Sequence, residues 1–140
     1  MVYVDTSVLV ALCLNEPKSA DVTRWYSACA DELVSAMWCV PEFASALGIK
    51  QRTNQITEAQ GQAAWQYFER LCANDLQLFP VEPGTFHRAA VLTLDAATGL
   101  RAGDALHLAA ALEAKAKSMA TLDDVQAKNA KRMKLKLATI

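Results

Sequence analysis

Short runs of apolar, strand-favouring residues alternate along this chain with longer stretches of helical periodicity, and acids stand at several of the changeovers. The pattern starts at once. Val2-Tyr3-Val4 ends in Asp5, and Val8, Leu9, Leu12 and Cys13 then recur at helical spacing. After a turn at Asn15-Glu16-Pro17, a second helix carries Val22, Trp25, Tyr26 and Cys29 on one face. Leu33-Val34-Ser35-Ala36 reads as the second strand, and Phe43, Ala46 and Leu47 continue a helix from Pro41 to about Arg52. Thr57 and Gln60 form a capping box that opens a helix burying Ala64, Trp65, Phe68, Leu71 and Cys72. Leu76 to Val81 is a third strand, and Thr85 is expected to cap a helix running to Thr98-Gly99. Gly103-Asp104 opens an Ala- and Leu-rich helix through Lys115, and Met119-Ala120-Thr121-Leu122 is a fourth strand. Asp123 starts a last helix, and Leu135 to Ile140 makes a fifth strand. Strand and helix in alternation imply a parallel sheet with helices on both faces.

A chain of 140 residues, 53% of them hydrophobic, builds one domain with its own core. The net charge of −1 argues against nucleic-acid binding through bulk positive charge. Seven of the fourteen Lys and Arg fall between Lys115 and Lys136, as either a solvated surface or a rim that attracts phosphate. Cys13, Cys29, Cys39 and Cys72 form no C-x-x-C pair and lie in apolar stretches, as buried thiols do in a reducing compartment. No signal pattern precedes Val2 and no apolar run is long enough to span a bilayer, so a cytoplasmic protein with no membrane partner is expected.

Four acids share one kind of position. Asp5 follows the first strand, Glu42 follows the second, Asp104 opens the Ala-rich helix and Asp123 follows the fourth strand. Each has a plain structural use, as a helix cap or as a partner of a helix dipole. In a parallel α/β fold, however, the carboxyl ends of the strands share one edge, and ligands bind there. Carboxylates about 4 Å apart repel by about 4 kcal/mol at an effective dielectric of about 20. A cluster of them is tolerated when some are protonated or when a cation is bound. Oxygen donors without Cys or His suit Mg²⁺ or Mn²⁺, the usual metals of phosphoryl chemistry.

The set Asp5-Thr6-Ser7, Glu42, Arg101 through Ala111 (with Asp104-Ala105-Leu106-His107-Leu108-Ala109 inside it) and Thr121-Leu122-Asp123 resembles a PIN domain over the whole chain. Within that superfamily the size and the Asp-Ala-Leu-His-Leu-Ala segment are similar to the VapC-type toxins of bacterial toxin–antitoxin pairs. The resemblance implies a single PIN domain over residues 1–140, folded as a three-layer α/β/α sandwich around a mostly parallel sheet of four or five strands. It implies an Mg²⁺- or Mn²⁺-dependent endoribonuclease whose catalytic, metal-binding acids are Asp5, Glu42, Asp104 and Asp123, with a hydroxyl from Thr6 or Ser7 nearby. It also implies an RNA substrate cut to leave a 5′-phosphate, a cognate antitoxin that silences the enzyme, and a homodimer. The αα-hairpin of about Trp38 to Arg52 and Thr57 to Ala73 would help form the antitoxin groove.

Two departures bear on details. Asp123 is followed by Asp124, though the Thr-x-Asp pattern favours Asp123 as the residue facing the metal. A glycine common before the last strand is replaced by Met133-Lys134. His107, three residues after Asp104, is expected to be packed and hydrogen-bonded, with phosphate contact or orientation of Asp104 as its other use. Arg101 is either an RNA contact or a surface residue, and His87 is structural or exposed. Trp25, Trp38, Trp65, Phe43 and Phe68 are expected to pack in the core or at an interface. The rival to the enzyme is a degenerate PIN fold that only binds RNA or protein. An aspartyl phosphatase would want an acid where Ser7 stands, and a phospho-acceptor domain would want an acid pair beside Asp5.

Overall fold

The computed structural model describes residues 1–140. Five strands, β1 (Val2–Val4), β2 (Leu33–Ala36), β3 (Leu76–Phe79), β4 (Ser118–Ala120) and β5 (Lys136–Leu137), form one sheet in the order β3-β2-β1-β4-β5. Every pairing is parallel. Seven helices intervene: α1 (Thr6–Cys13), α2 (Ser19–Ala28), α3 (Cys39–Arg52), α4 (Glu58–Asn74), α5 (Pro83–Leu94), α6 (Ala102–Glu113) and α7 (Asp124–Arg132).

The central strand shows why three layers form. All of Val2, Tyr3 and Val4 are buried, as a strand covered on both faces requires. Successive side chains point to opposite faces, so Val2 and Val4 join one cluster with residues of α1 to α4, while Tyr3 joins another with residues of α5, α6 and α7. In the first cluster Phe43 of α3 stacks on Phe68 of α4, with ring centroids 4.2 Å apart and planes 9° from parallel. Such a pair adds roughly 0.5–1.5 kcal/mol beyond its buried area. Trp65 leans on both rings, so these aromatics are core, as their helical spacing indicates. No helix is long and apolar enough to cross a membrane.

Several boundaries differ from the sequence reading. The capping box at Thr57 and Gln60 is present. Thr85, by contrast, caps nothing: α5 begins at Pro83, and the buried Thr85 hydroxyl donates to Glu113 of α6. Pro is favoured in the first turn, so the helix starts three residues earlier than a Thr cap suggests. It also stops at Leu94, and Ala96–Thr98 is a separate 3₁₀ turn closed by Gly99 at φ +68°. The third strand ends at Phe79, because Pro80 has no N–H for the ladder. The fourth runs Ser118–Ala120 and releases Thr121-Leu122 to the site. Where a glycine is absent before β5, Lys134 itself adopts the left-handed conformation, at φ +62°.

Candidate active site

The strand order reverses at β1: the chain first builds β2 and β3 on one side and later β4 and β5 on the other. Crevices at such a switch point, beyond the carboxyl ends of the strands, are where open α/β sheets bind ligands. A cavity of about 590 Å³ opens there, and Asp5, Glu42, Asp104 and Asp123 all line it. Thr6, Ser7 and His107 line it too.

Asp5 serves two ends. It is the N-cap of α1, accepting from the Ser7 and Val8 amides at 3.0 and 3.4 Å. The Ser7 hydroxyl donates to the same Oδ1 at 2.5 Å and accepts from the Leu122 amide at 2.9 Å. Ser7 therefore ties the end of β1 to the segment leaving β4. Only 4% of Asp5 is exposed. Burial pushes its carboxyl above the ordinary range, against the lowering influence of His107 and Ser7.

Glu42 lies in the first turn of α3 and is held through side chains from two other elements. The Thr6 hydroxyl donates to Oε1 at 2.6 Å, and His107 Nε2 meets the same oxygen at 2.5 Å. Burial raises the Glu42 carboxyl, but His107 and the Thr6 hydroxyl beside it outweigh that and hold the group below its usual value. Gly103 makes room for this arrangement. A Cβ there would stand 2.7 Å from Glu42 Oε2 and 3.4 Å from Trp38 Nε1.

His107 is itself held from behind. Its Nδ1 lies 2.8 Å from the hydroxyl of Tyr3, which also accepts from the Ala36 amide at 3.2 Å. The opposite edge of the ring, at Nε2, faces Glu42 and Thr6, at 2.5 and 3.1 Å. Burial drives the Tyr3 phenol far above its normal value, so it stays a hydroxyl. The expectation of a packed, hydrogen-bonded His107 agrees with this network.

Asp104 sits in the first turn of α6 without capping it, since Arg101 holds the cap position. Burial, then the nearby charge of Asp123, raise its carboxyl; Arg101 partly offsets them and Glu42 adds to them. Asp123 caps α7, accepting from the Gln126 amide at 2.8 Å. It lines the cavity while Asp124 is exposed and does not, which settles which of the pair faces inward. Arg101 and His87 are exposed and outside the cavity lining. Trp38, Gly103 and the Tyr3 hydroxyl had no sequence signal, and neither did the cavity residues Glu16 and Lys50.

The acids are gathered but not closed up. No group of three or more His, Cys, Asp or Glu side chains stands ready to hold a metal ion as placed. The donor set still suits a hard divalent cation: all four are carboxylates, and Asp104 is under repulsion from its neighbours that a cation relieves.

No curated protein sequence matches the chain. Several solved structures share its fold. VapC20 of Mycobacterium tuberculosis, a sarcin-ricin loop cleaving toxin, is similar with a TM-score of 0.74 at 14% identity, over 91% of this chain and 95% of that one. FitAcB of Neisseria gonorrhoeae gives 0.69 at 16% identity, over 99% and 97%. VapBC2 of Rickettsia felis, solved with a DNA fragment from its promoter, gives 0.65 at 16% identity, over 99% and 98%. Residues 2–132 match the family model of the PIN domain, and with that match spanning almost every element of the sandwich and Asp5, Glu42, Asp104 and Asp123, the chain belongs to the PIN domain family.

Proposed function

We propose that this protein is a metal-dependent endoribonuclease toxin of the VapC type, neutralised by a cognate antitoxin. One observation carries the reading: acids at the N-terminal ends of four separate helices, α1, α3, α6 and α7, line a single cavity at the switch point of the sheet. Asp5, Glu42, Asp104 and Asp123 are the residues that would hold Mg²⁺ or Mn²⁺. The chemistry a bound divalent ion supplies is a lowered pKa for water and neutralisation of phosphate charge. The chain's own part is positioning. Thr6 and His107 fix the Glu42 carboxylate. Ser7 fixes Asp5 and holds the Leu122-Asp123 segment against it. Water adds to phosphorus, the 3′-oxygen leaves, and the product carries a 5′-phosphate. The likeness to a toxin that cleaves the sarcin-ricin loop, and to a complex bound to promoter DNA, supports an RNA target and an antitoxin partner for this chain.

Incubation of the purified protein with total RNA and Mn²⁺, followed by mapping of new 5′-phosphate ends, tests the reading. Cleavage is expected to vanish with EDTA and with Asp5→Asn; undiminished cleavage by Asp5→Asn refutes the assignment. One observation favours the rival, a PIN fold that binds without cutting: no three acids close on an ion as placed. Thermal melting decides between them. Mn²⁺ raises the Tm of a protein whose native state binds it, and leaves a degenerate site unmoved.

A further inference from the structure

Two cations, Lys18 and Lys50, line the acidic cavity. Lys50 lies on α3, eight residues after Glu42, and so about 12 Å further along the helix axis at about 1.5 Å per residue. Ser45, Ala46 and Ile49 line the same wall between them. One face of α3 thus runs from a carboxylate at its first turn to an ammonium at its last. Lys50 is already occupied. It is paired with Glu16, in the turn between α1 and α2, and the two side chains are only 18% and 28% exposed. Lys18, in contrast, is 61% exposed and pairs with Asp21 a helical turn away. A sheltered pair has lost much of its hydration, and either member left alone there is poorly compensated. An incoming anion can take the place of Glu16 against Lys50 without further desolvation of the ammonium.

We propose that Lys50 is the docking point for an RNA phosphate away from the scissile bond, and that Glu16 is its resident competitor. The inference rests on the ribonuclease reading. A phosphodiester offers the charge and the acceptor oxygens that a lysine takes as a point charge. Ile49, 48% exposed beside it, offers an apolar surface to the adjoining base. A purely structural clip, holding the α1–α2 turn to α3, would make both partners matter in the same direction. Competition makes them matter in opposite directions.

The test compares the wild type with Lys50→Gln, Lys50→Arg and Glu16→Gln. Binding of a labelled single-stranded RNA is followed by anisotropy in EDTA over a series of salt concentrations, and cleavage of the same RNA is measured with Mn²⁺. Lys50→Gln is expected to weaken binding about fivefold and to lower the salt slope by about 0.7, the value for one lost phosphate contact on a single strand. In cleavage its effect falls on KM more than on kcat. Lys50→Arg restores binding, and Glu16→Gln tightens it about threefold by freeing the charge. Loss of affinity in both Gln variants, or no change in Lys50→Gln, overturns the inference while leaving the ribonuclease reading standing. A wild type that neither binds nor cuts RNA overturns both.

Discussion

Replacing Tyr3 by Phe tests the network behind the acids at a residue that lines no part of the cavity. Tyr3 is fully buried in the central strand, and its ring remains in Phe, so the substitution opens no cavity. What goes is one hydroxyl, bonded to His107 Nδ1 at 2.8 Å and to the Ala36 amide at 3.2 Å. His107 Nδ1 is then buried without that partner. A buried polar group left unsatisfied costs roughly 1–3 kcal/mol. We expect a loss of about 2 kcal/mol, which for a domain of this size lowers Tm by about 7 °C. Urea unfolding followed by tryptophan fluorescence should show the shift in midpoint with an unchanged m-value. Tyr26→Phe is the control: its hydroxyl bonds Asp75 at the surface, and its removal should cost no more than about 0.5 kcal/mol. The loosened imidazole also ceases to fix Glu42, so metal-dependent cleavage falls as well. A Tyr3→Phe protein within about 0.5 kcal/mol of wild type would show that the hydroxyl contributes nothing and would refute the reasoning.

Gly103→Ala gains up to about 1 kcal/mol of helix propensity but drives a methyl into the space of Glu42 Oε2. Because Glu42 is pinned by Thr6 and His107, the expected result is an unchanged or slightly altered melt with a severe loss of cleavage, measured on the same sample. Asp104→Asn removes a carboxyl that burial and Asp123 push above its ordinary value. The folded state binds that proton more tightly than the unfolded chain, so wild-type stability falls as pH rises from the unfolded value of 3.8 through the raised folded one. At neutral pH without metal the variant should therefore be the more stable by about 0.5 kcal/mol, the scale of a partly solvated charge pair. The gain should disappear below about pH 4, and addition of Mn²⁺ should reverse the order; pH-dependent melts with and without the metal check all three. Glu42→Gln should behave oppositely, destabilising at neutral pH, since the folded carboxylate is held below its unfolded value of 4.5 and loses that advantage only as pH falls through the folded one. Thr57→Ala breaks the capping box of α4 and should cost about 1 kcal/mol in the same urea assay.

Much of this protein is written in short-range signals. The alternation of strand and helix, the capping box at Thr57, and the acids at Asp5 and Asp123 all depend on residues within a few positions of each other. Periodicity and capping act through neighbouring backbone groups, so one chain read in order discloses them. The misjudged boundaries are also local, but two signals competed there: Pro83 against Thr85 for a helix start, and Pro80 against the apolar run for a strand end. Which acid of Asp123-Asp124 turns inward, what grips Glu42, and what occupies Lys50 belong to another scale. Tyr3 meets His107 across 104 positions, and His107 meets Glu42 across 65. Those meetings exist only because β1 lies between β2 and β4 and α6 packs over them, and a sheet order is a property of the whole packed core. The amino-acid sequence determined that acids would stand at helix starts; tertiary packing decided which side chains face them, because burial and hydrogen bonding between distant segments are settled only when the layers close.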